Sequence, residues 1–398
     1  MKEKVFYAEA SYSDEEIQAV KKVLDENRLS LMDGPQVKLL EKKVSKIFNK
    51  NYGLMVNSGS SANLLGILSL NLPKGSKVIT PALTFSTTVF PIVQSGLIPY
   101  FVDVEKDTLQ INTKILKQID LDNVSAICVP NLVGNVANWE EIFNFARENN
   151  LKIIEDSADT IGYSFDTSLK NWSDLSTTSF YASHVITGAG FGGMVCFDDK
   201  NNYDLALSLR GWGRRSSLYL NSEDYERRFN AKIDDIDYDD KYIFDDIAYN
   251  FLPSEISAAF ALVQLNSLGK NIQKRINNFN FLKSQLDQSK NIFIPKSYKN
   301  VRTGWLAFPI ILQNKLLEKR KEMQIYLEKE GIQTRTIFTG NIMRQPVAKK
   351  FHWECFGTFE VSDEVMKSGI LLGSHNRQTQ LKLDFLVNKI KEAEKVLV

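Results

Sequence analysis

Ser179-Phe180-Tyr181-Ala182-Ser183-His184-Val185-Ile186-Thr187-Gly188-Ala189-Gly190-Phe191-Gly192-Gly193 is the stretch on which the reading of this chain turns. It opens with strand-like residues and passes through a glycine-bent loop. It leaves as a second apolar run, Met194-Val195-Cys196-Phe197. Ser179 is read at the start of the first strand, and His184 falls where strand gives way to loop, a place from which a side chain can reach over a bound ligand. Gly188, Gly190 and Gly193 satisfy G-x-G-x-x-G, yet a dinucleotide site needs a helix directly after the glycines. Here β-branched and aromatic residues follow, which argues against a nicotinamide or flavin site.

Working outward, β-rich runs at 53–56, 77–81, 98–104, 124–129, 151–155, 177–182 and 193–197 alternate with helical stretches. Seven such runs predict an α/β fold whose large domain holds a seven-stranded, mostly parallel sheet flanked by helices. Ligands of such sheets sit beyond the carboxyl ends of the strands. The distinctive residues fall there. Asn57-Ser58-Gly59-Ser60-Ser61-Ala62-Asn63 leads into an apolar helix and offers either an anion site over free amides or a serine N-cap. Thr84-Phe85-Ser86-Thr87-Thr88 sets one aromatic among small polar residues, where core packing is the plain alternative. Glu155-Asp156-Ser157-Ala158-Asp159 closes the fifth run, and a buried carboxylate there needs a cation or hydrogen-bond donors.

Helices are predicted at 13–28 and 36–49, with Asp33-Gly34-Pro35 as the turn between them. Ten acidic residues between Glu223 and Asp246, interleaved with Tyr and Phe, predict a surface excursion over 214–248. Pro253 starts a long helix with Glu255 in its first turn. Strands near 291–295, 305–310 and 334–338, with helices at 314–330 and 378–397, predict a smaller C-terminal α/β domain. The expected division is 1–250 for the large domain, 251–289 for a connecting long helix and 290–398 for the small domain.

Composition narrows the function. The chain has 398 residues with 49 basic and 48 acidic side chains, so no strong field recruits nucleic acid or membrane. The amino terminus lacks the apolar stretch of a signal peptide and no run approaches membrane-spanning length, which leads us to expect a cytoplasmic protein. Cys128, Cys196 and Cys355 are scattered among apolar or aromatic neighbours and suit buried thiols. The three histidines, His184, His352 and His375, do not cluster with them at zinc spacing, and the expected metal content is none.

Taken together, from about residue 10 to the end, these motifs resemble fold-type I enzymes that use pyridoxal phosphate, specifically the nucleotide-sugar aminotransferase family. The resemblance implies that Gly59, Ser60, Ser61 and Ser179 hold the coenzyme phosphate, Phe85 stacks on its ring and Asp156 pairs with the pyridine nitrogen. Asp159 lies near the phenolic oxygen, where many members carry glutamine. It also implies that Asn250, in Tyr249-Asn250-Phe251, reaches the phosphate of a neighbouring subunit, hence a homodimer with shared active sites. Leu252 stands where a basic residue is common.

Where the family has its catalytic lysine, after S-F-Y-x-x, this chain has His184. An imidazole forms no stable linkage to the coenzyme aldehyde but still moves protons. That replacement resembles the branch of sugar 3-dehydratases, as do Thr339-Gly340-Asn341 and Arg344-Gln345-Pro346. The branch implies removal of the 3-hydroxyl from a nucleotide-linked 4-keto-6-deoxy sugar, with pyridoxal and pyridoxamine phosphate as coenzyme forms and glutamate as amino donor. Residues 214–250 contain no cysteine, unlike branch members that carry an iron–sulfur cluster and need a reductase. A GDP-linked 4-keto-6-deoxymannose or a heptose analogue is therefore the expected substrate, without a reductase. Arg335 and Asn341 are candidate substrate contacts, although an arginine on a strand edge also suits a surface ion pair. An aminotransferase using another lysine, the nearest upstream being Lys170, and a non-catalytic binding homologue remain as alternatives.

Overall fold

The computed structural model describes residues 4–165, 171–182, 184–219 and 221–398. Seven β-rich runs form the strands β1 (Tyr52–Val56), β2 (Lys77–Pro81), β3 (Ile98–Val102), β4 (Val124–Pro130), β5 (Lys152–Ser157), β6 (Leu175–Ser179) and β7 (Gly193–Phe197). Apolar residues on both faces of these strands are buried, as a sheet covered on two sides requires. The C-terminal region adds β8 (Ile292–Phe293), β9 (Phe308–Leu312), β10 (Thr334–Arg335), β11 (Glu354–Cys355) and β12 (Gly369–Leu372). The large sheet runs β1-β7-β6-β5-β4-β2-β3-β11. β7 is antiparallel to both β1 and β6, and the other pairings are parallel.

The sheet thus has eight strands where seven are predicted. The addition comes from the far end of the chain: β11 pairs Glu354 with Tyr100 and Cys355 with Phe101. Two residues between a tryptophan and a glycine turn carry no periodicity that a sequence could display. Cys355 is exposed there, unlike buried Cys128 and Cys196. The remaining C-terminal strands form an antiparallel sheet, β8-β9-β12-β10, against the helix Gln380–Leu397, whose Leu383, Leu386 and Ile390 are buried.

The single long helix expected over 251–289 is two helices, Glu255–Asn266 and Leu268–Leu286, meeting at Ser267. Glu255 has a second use. Its carboxylate accepts from the amides of Gly34, Gln36 and Val37 at 2.8–3.0 Å and so caps the helix Pro35–Ile47 across more than 200 residues of sequence. Gly34 makes this possible, because a Cβ there would lie 2.8 Å from Glu255 Cδ. Glu255 is fully buried, and losing it orphans three amides at a positive helix end. Glu255→Ala is therefore expected to cost about 3–4 kcal/mol in urea unfolding, and Glu255→Gln, which keeps one acceptor oxygen, about half of that.

We retain 1–250, 251–289 and 290–398 as a proposed division into folding units. Val5 nonetheless packs in the C-terminal core and pairs with Ile332. Among the described residues no helix is long and apolar enough to cross a membrane.

Candidate active site

Strands β1 to β6 run in one direction, so their carboxyl ends share one edge, and a cavity of about 710 Å³ opens there. This is the size of a small-molecule site. Its floor begins at the helix Gly59–Ser69, capped by the Ser58 hydroxyl accepting from the Ser61 amide at 3.1 Å. Gly59 and Ser60, in the first turn, line the cavity, as does Ser179 at the end of β6. A Cβ on Gly59 would sit 2.7 Å from Ser179 Cβ, so only glycine lets the Ser179 hydroxyl approach the helix N-terminus. Ser61 lies behind this turn, its Oγ 3.0 Å from Ser58 Oγ, and is not on the cavity wall. Amides and hydroxyls converging at a positive helix end are an anion cradle.

On β5 the two-residue alternation sends neighbouring carboxylates to opposite faces. Glu155 turns away from the cavity and accepts from Asn131, Ser157, Tyr163, Ser173 and Ser176. Asp156 lines the cavity; its Oδ2 accepts from Thr88 Oγ1 at 2.7 Å and Asn63 Nδ2 at 2.9 Å, and its Oδ1 from the Ala158 amide at 3.1 Å. Burial raises its pKa against these three donors, and Glu155 adds to the rise. No cation of the described residues pairs with it. A carboxylate held this way fits a protonated ring nitrogen. Phe85, half-exposed, stands edge-on to Phe338 with ring centroids 5.7 Å apart, offering a flat wall at the mouth.

His184 projects into the same space. Its Nδ1 lies 3.3 Å from the Ser179 carbonyl, which can only accept, so Nδ1 carries the proton and Nε2 presents its lone pair. Burial pushes the imidazole pKa down to about 4, with the positive charge of Arg275 contributing, so the ring is neutral at pH 7. Nε2 stands 4.0 Å from Asp159 Oδ1. Burial and the charge on Asp156 push the Asp159 carboxyl up to about 7. Its other oxygen accepts from the Val133 amide at 2.9 Å. Val133 sits at φ 59°, an outlying conformation for a β-branched residue, and such strain persists where surrounding structure holds it.

An anion cradle, an aromatic wall, a cation-seeking carboxylate and a neutral imidazole now share one cavity. These residues fit a flat phosphorylated pyridine. The sequence profile of the DegT/DnrJ/EryC1/StrS aminotransferase family matches residues 10–391. The chain belongs to this family. It is 31% identical to the lipopolysaccharide biosynthesis protein RfbH of Salmonella typhimurium over 88% of this chain and 83% of that protein. It is 30% identical to the GDP-4-keto-6-deoxy-D-mannose 3-dehydratase of Escherichia coli O55:H7 over 96% of this chain and 98% of that protein. The crystal structure of GDP-4-keto-6-deoxymannose-3-dehydratase with a trapped PLP-glutamate geminal diamine superposes with a TM-score of 0.86 at 28% identity, over 98% of this chain and 99% of that one. The fold is that of fold-type I pyridoxal phosphate enzymes.

Within this family member, Gly59, Ser60, Phe85, Asp156, Asp159, Ser179, His184 and Arg335 are brought together around the cavity. Arg335 lies with its guanidinium 5.5 Å from the Tyr7 ring and lines the mouth. Three expected residues lie off the cavity wall: Ser61, behind the first turn, and Asn341 and Asn250. Asn341 is fully buried and occupied: it donates to Asp363 at 2.8 Å and accepts from the Met343 amide at 3.1 Å, capping a short turn. That placement argues for a structural role and against substrate contact. Asn250 is exposed outside the cavity of its own chain, bridged to Gly211. Lys170 lies outside the described residues. His375 is buried with Nε2 3.2 Å from the Phe6 carbonyl, a structural setting. The sequence reading missed Tyr7, which lines the cavity from the amino-terminal segment, and Thr88 and Asn63, which hold Asp156.

Proposed function

We propose that this chain is a pyridoxal phosphate-dependent sugar 3-dehydratase acting on a GDP-linked 4-keto-6-deoxy sugar, GDP-4-keto-6-deoxymannose or a heptose analogue. The observation that carries the reading is His184, a neutral imidazole in the cavity at the position where lysine-dependent relatives place their Schiff-base residue. Similarity along 98% of the length of a protein named GDP-4-keto-6-deoxy-D-mannose 3-dehydratase supports the guanine nucleotide.

Bound as pyridoxamine phosphate, the coenzyme supplies an amine for the sugar's 4-keto carbon and a conjugated ring that accepts electrons. Gly59, Ser60 and Ser179 would hold its phosphate at the helix N-terminus. Phe85 would stack against the ring, and Asp156 would keep the ring nitrogen positive. His184 Nε2 would take the proton from the carbon next to the reacting amine. The imidazolium so formed would donate it to the departing 3-hydroxyl, which leaves as water, so one residue would act as base and then acid. Hydrolysis of the released amino sugar would give the 3-deoxy-4-keto product and ammonia. Over a full cycle glutamate would become 2-oxoglutarate. The two electrons that reduce carbon 3 come from glutamate, and no reductase is needed.

The active site is completed by a second copy of this chain. Exposed apolar Ile236 and Ile247 in the 214–248 excursion, beside exposed Asn250, support an interface there. An Asn250→Ala protein mixed with a His184→Asn protein is expected to regain activity in heterodimers, up to about a quarter of wild type, because one of the two sites in each mixed pair is intact. Verified heterodimers without activity would refute shared sites. Reduced, unpaired cysteines and the use of glutamate fit a cytoplasmic enzyme.

The deciding experiment supplies pyridoxal phosphate, glutamate and GDP-, CDP- or dTDP-linked 4-keto-6-deoxy sugars, with no added iron or reductant. Mass spectrometry is expected to find the GDP sugar short of one oxygen, with matching 2-oxoglutarate and ammonia. Accumulation of a 4-amino sugar, or dependence on an electron donor, would overturn the reading.

A further inference from the structure

The helix Leu268–Leu286 buries Ile272, Phe279, Leu282 and Leu286, and Arg275 sits on the same buried stripe. Its guanidinium, 1% exposed, has no carboxylate partner among the described residues. Nη1 donates to the carbonyls of Leu306 at 2.9 Å and Trp305 at 3.3 Å, Nη2 donates to the carbonyl of His184 at 3.4 Å, and Nε is buried without a partner. A buried cation without a counter-charge is costly to keep. What surrounds it closes a ring. Asp159 Oδ2 accepts from the Val133 amide, the Val133 carbonyl accepts from the Leu306 amide at 2.9 Å, the Leu306 carbonyl accepts from Arg275, and Arg275 reaches His184. His184 Nε2 then faces Asp159 Oδ1 at 4.0 Å.

We propose that Arg275 is a positioning residue for proton transfer: its planar fork ties the His184 carbonyl to those of Leu306 and Trp305 and so fixes the His184 main chain relative to Asp159, with its unpaired charge held one hydrogen bond from that residue. The inference rests on His184 being the proton-transfer group. The guanidinium suits this use because burial lowers its pKa only to about 10, which leaves it charged at pH 7, and because its planar fork reaches the carbonyls of Leu306, Trp305 and His184. Burial and Arg275 together hold the imidazole down at about 4. Asp159, in the turn after β5, stands 4.0 Å from Nε2, and Asp156, on β5, lines the same cavity; negative charge on either acts in the opposite sense. Tyr7, from the amino-terminal segment, is kept uncharged by burial and by Asp159. Tyr181 lies edge-on to the ring with centroids 5.9 Å apart, and Arg335 lines the mouth. Arg275 is thus the buried cation behind a base that must stay neutral until it takes its proton.

The chain has three histidines, so NMR can follow each imidazole in the full-length protein, with and without coenzyme, once His352→Gln and His375→Asn identify the other two. In Arg275→Met the His184 titration is expected to rise by about one pH unit, and the acid limb of kcat to move with it. Arg275→Lys keeps the charge and loses the fork. It is expected to leave the titration within about 0.3 unit while lowering kcat about tenfold, with KM for the sugar unchanged. A His184 titration unmoved in Arg275→Met would overturn the electrostatic part. Wild-type kcat in Arg275→Lys would overturn the geometric part, and this variant decides the matter if Arg275→Met does not fold. The NMR titration needs no turnover, so it separates failure here from a wrong assignment of the reaction.

Discussion

His184→Lys is expected to lower 3-dehydration by about 10²–10⁴-fold and to make the protein retain its coenzyme covalently after borohydride reduction. In the proposed wild-type site the aldehyde would meet an imidazole, so the coenzyme would be held without a covalent bond, by the helix N-terminus, Ser179, Phe85 and Asp156 together with Asn250 from a second copy. Denaturation and dialysis should remove it even when reductant is added first. Lysine in the same loop is long enough to trap the aldehyde. It also replaces a group that is neutral at pH 7 with an amine that must first lose a proton, and the Nδ1 bond to the Ser179 carbonyl that orients the ring disappears. Traces of amino sugar are the expected by-product. Mass spectrometry of the reduced, denatured proteins checks the result. Wild-type protein that keeps reduced coenzyme on some lysine would refute the role of His184 and restore the aminotransferase reading.

The second large effect is expected at Asp156. Asp156→Asn keeps the shape but cannot balance a positive ring nitrogen, and kcat is expected to fall about 10²–10³-fold, the scale of losing one preorganised electrostatic contact. The substitution also conflicts with its neighbours. If the new amide oxygen keeps Thr88 Oγ1 and Asn63 Nδ2, its nitrogen faces the Ala158 amide, donor against donor, at about 1–2 kcal/mol in stability. The expected pattern is lower kcat, weaker coenzyme retention and little change in KM for the sugar. Unchanged kcat with the coenzyme bound would remove Asp156 from the mechanism.

The parts of the molecule legible in the sequence share a physical cause. Strands β1 to β5 and β7 are buried on both faces and appear as short runs rich in apolar residues, whereas β6, Leu175-Ser176-Thr177-Thr178-Ser179, is equally buried with four hydroxyl residues. Asp156 and the turn before helix Gly59–Ser69 stand out in the sequence because the fold places ligands at those ends, whereas Ser179, read at a strand start, lies at the end of β6. His184 was legible through a departure from the family pattern. What stayed hidden lacks local signal. β11 has two residues, and Tyr7 reaches the site from an amino-terminal segment whose partners are more than 300 residues away. Asn341 looked like a substrate contact in a polar loop, but its partner Asp363 lies 22 residues on, in another element. Arg275 did carry a signal: a charged residue in register with Ile272, Phe279 and Leu282 is misplaced for solvent. Lys270, Lys274 and Lys283 on the same helix mask that signal.

The crossing of chain segments bears on how ligands come and go. Val5, from the amino-terminal segment, is hydrogen-bonded into the C-terminal unit through Gly331 and Gln333, while Glu354 and Cys355, from that unit, form the outer strand of the large sheet. Each body holds a piece of the other. Taken as the proposed folding units, the two are laced together in opposite directions, and a rotation that parted them would strain main-chain pairing at both seams. Passage into the cavity then falls to side chains at its mouth, where half-exposed Phe85 leans on Phe338 and Tyr181 is 60% exposed. Rotamer motion of such rings takes nanoseconds rather than the microseconds to milliseconds of a domain hinge, so closure of the halves would not set the pace of turnover.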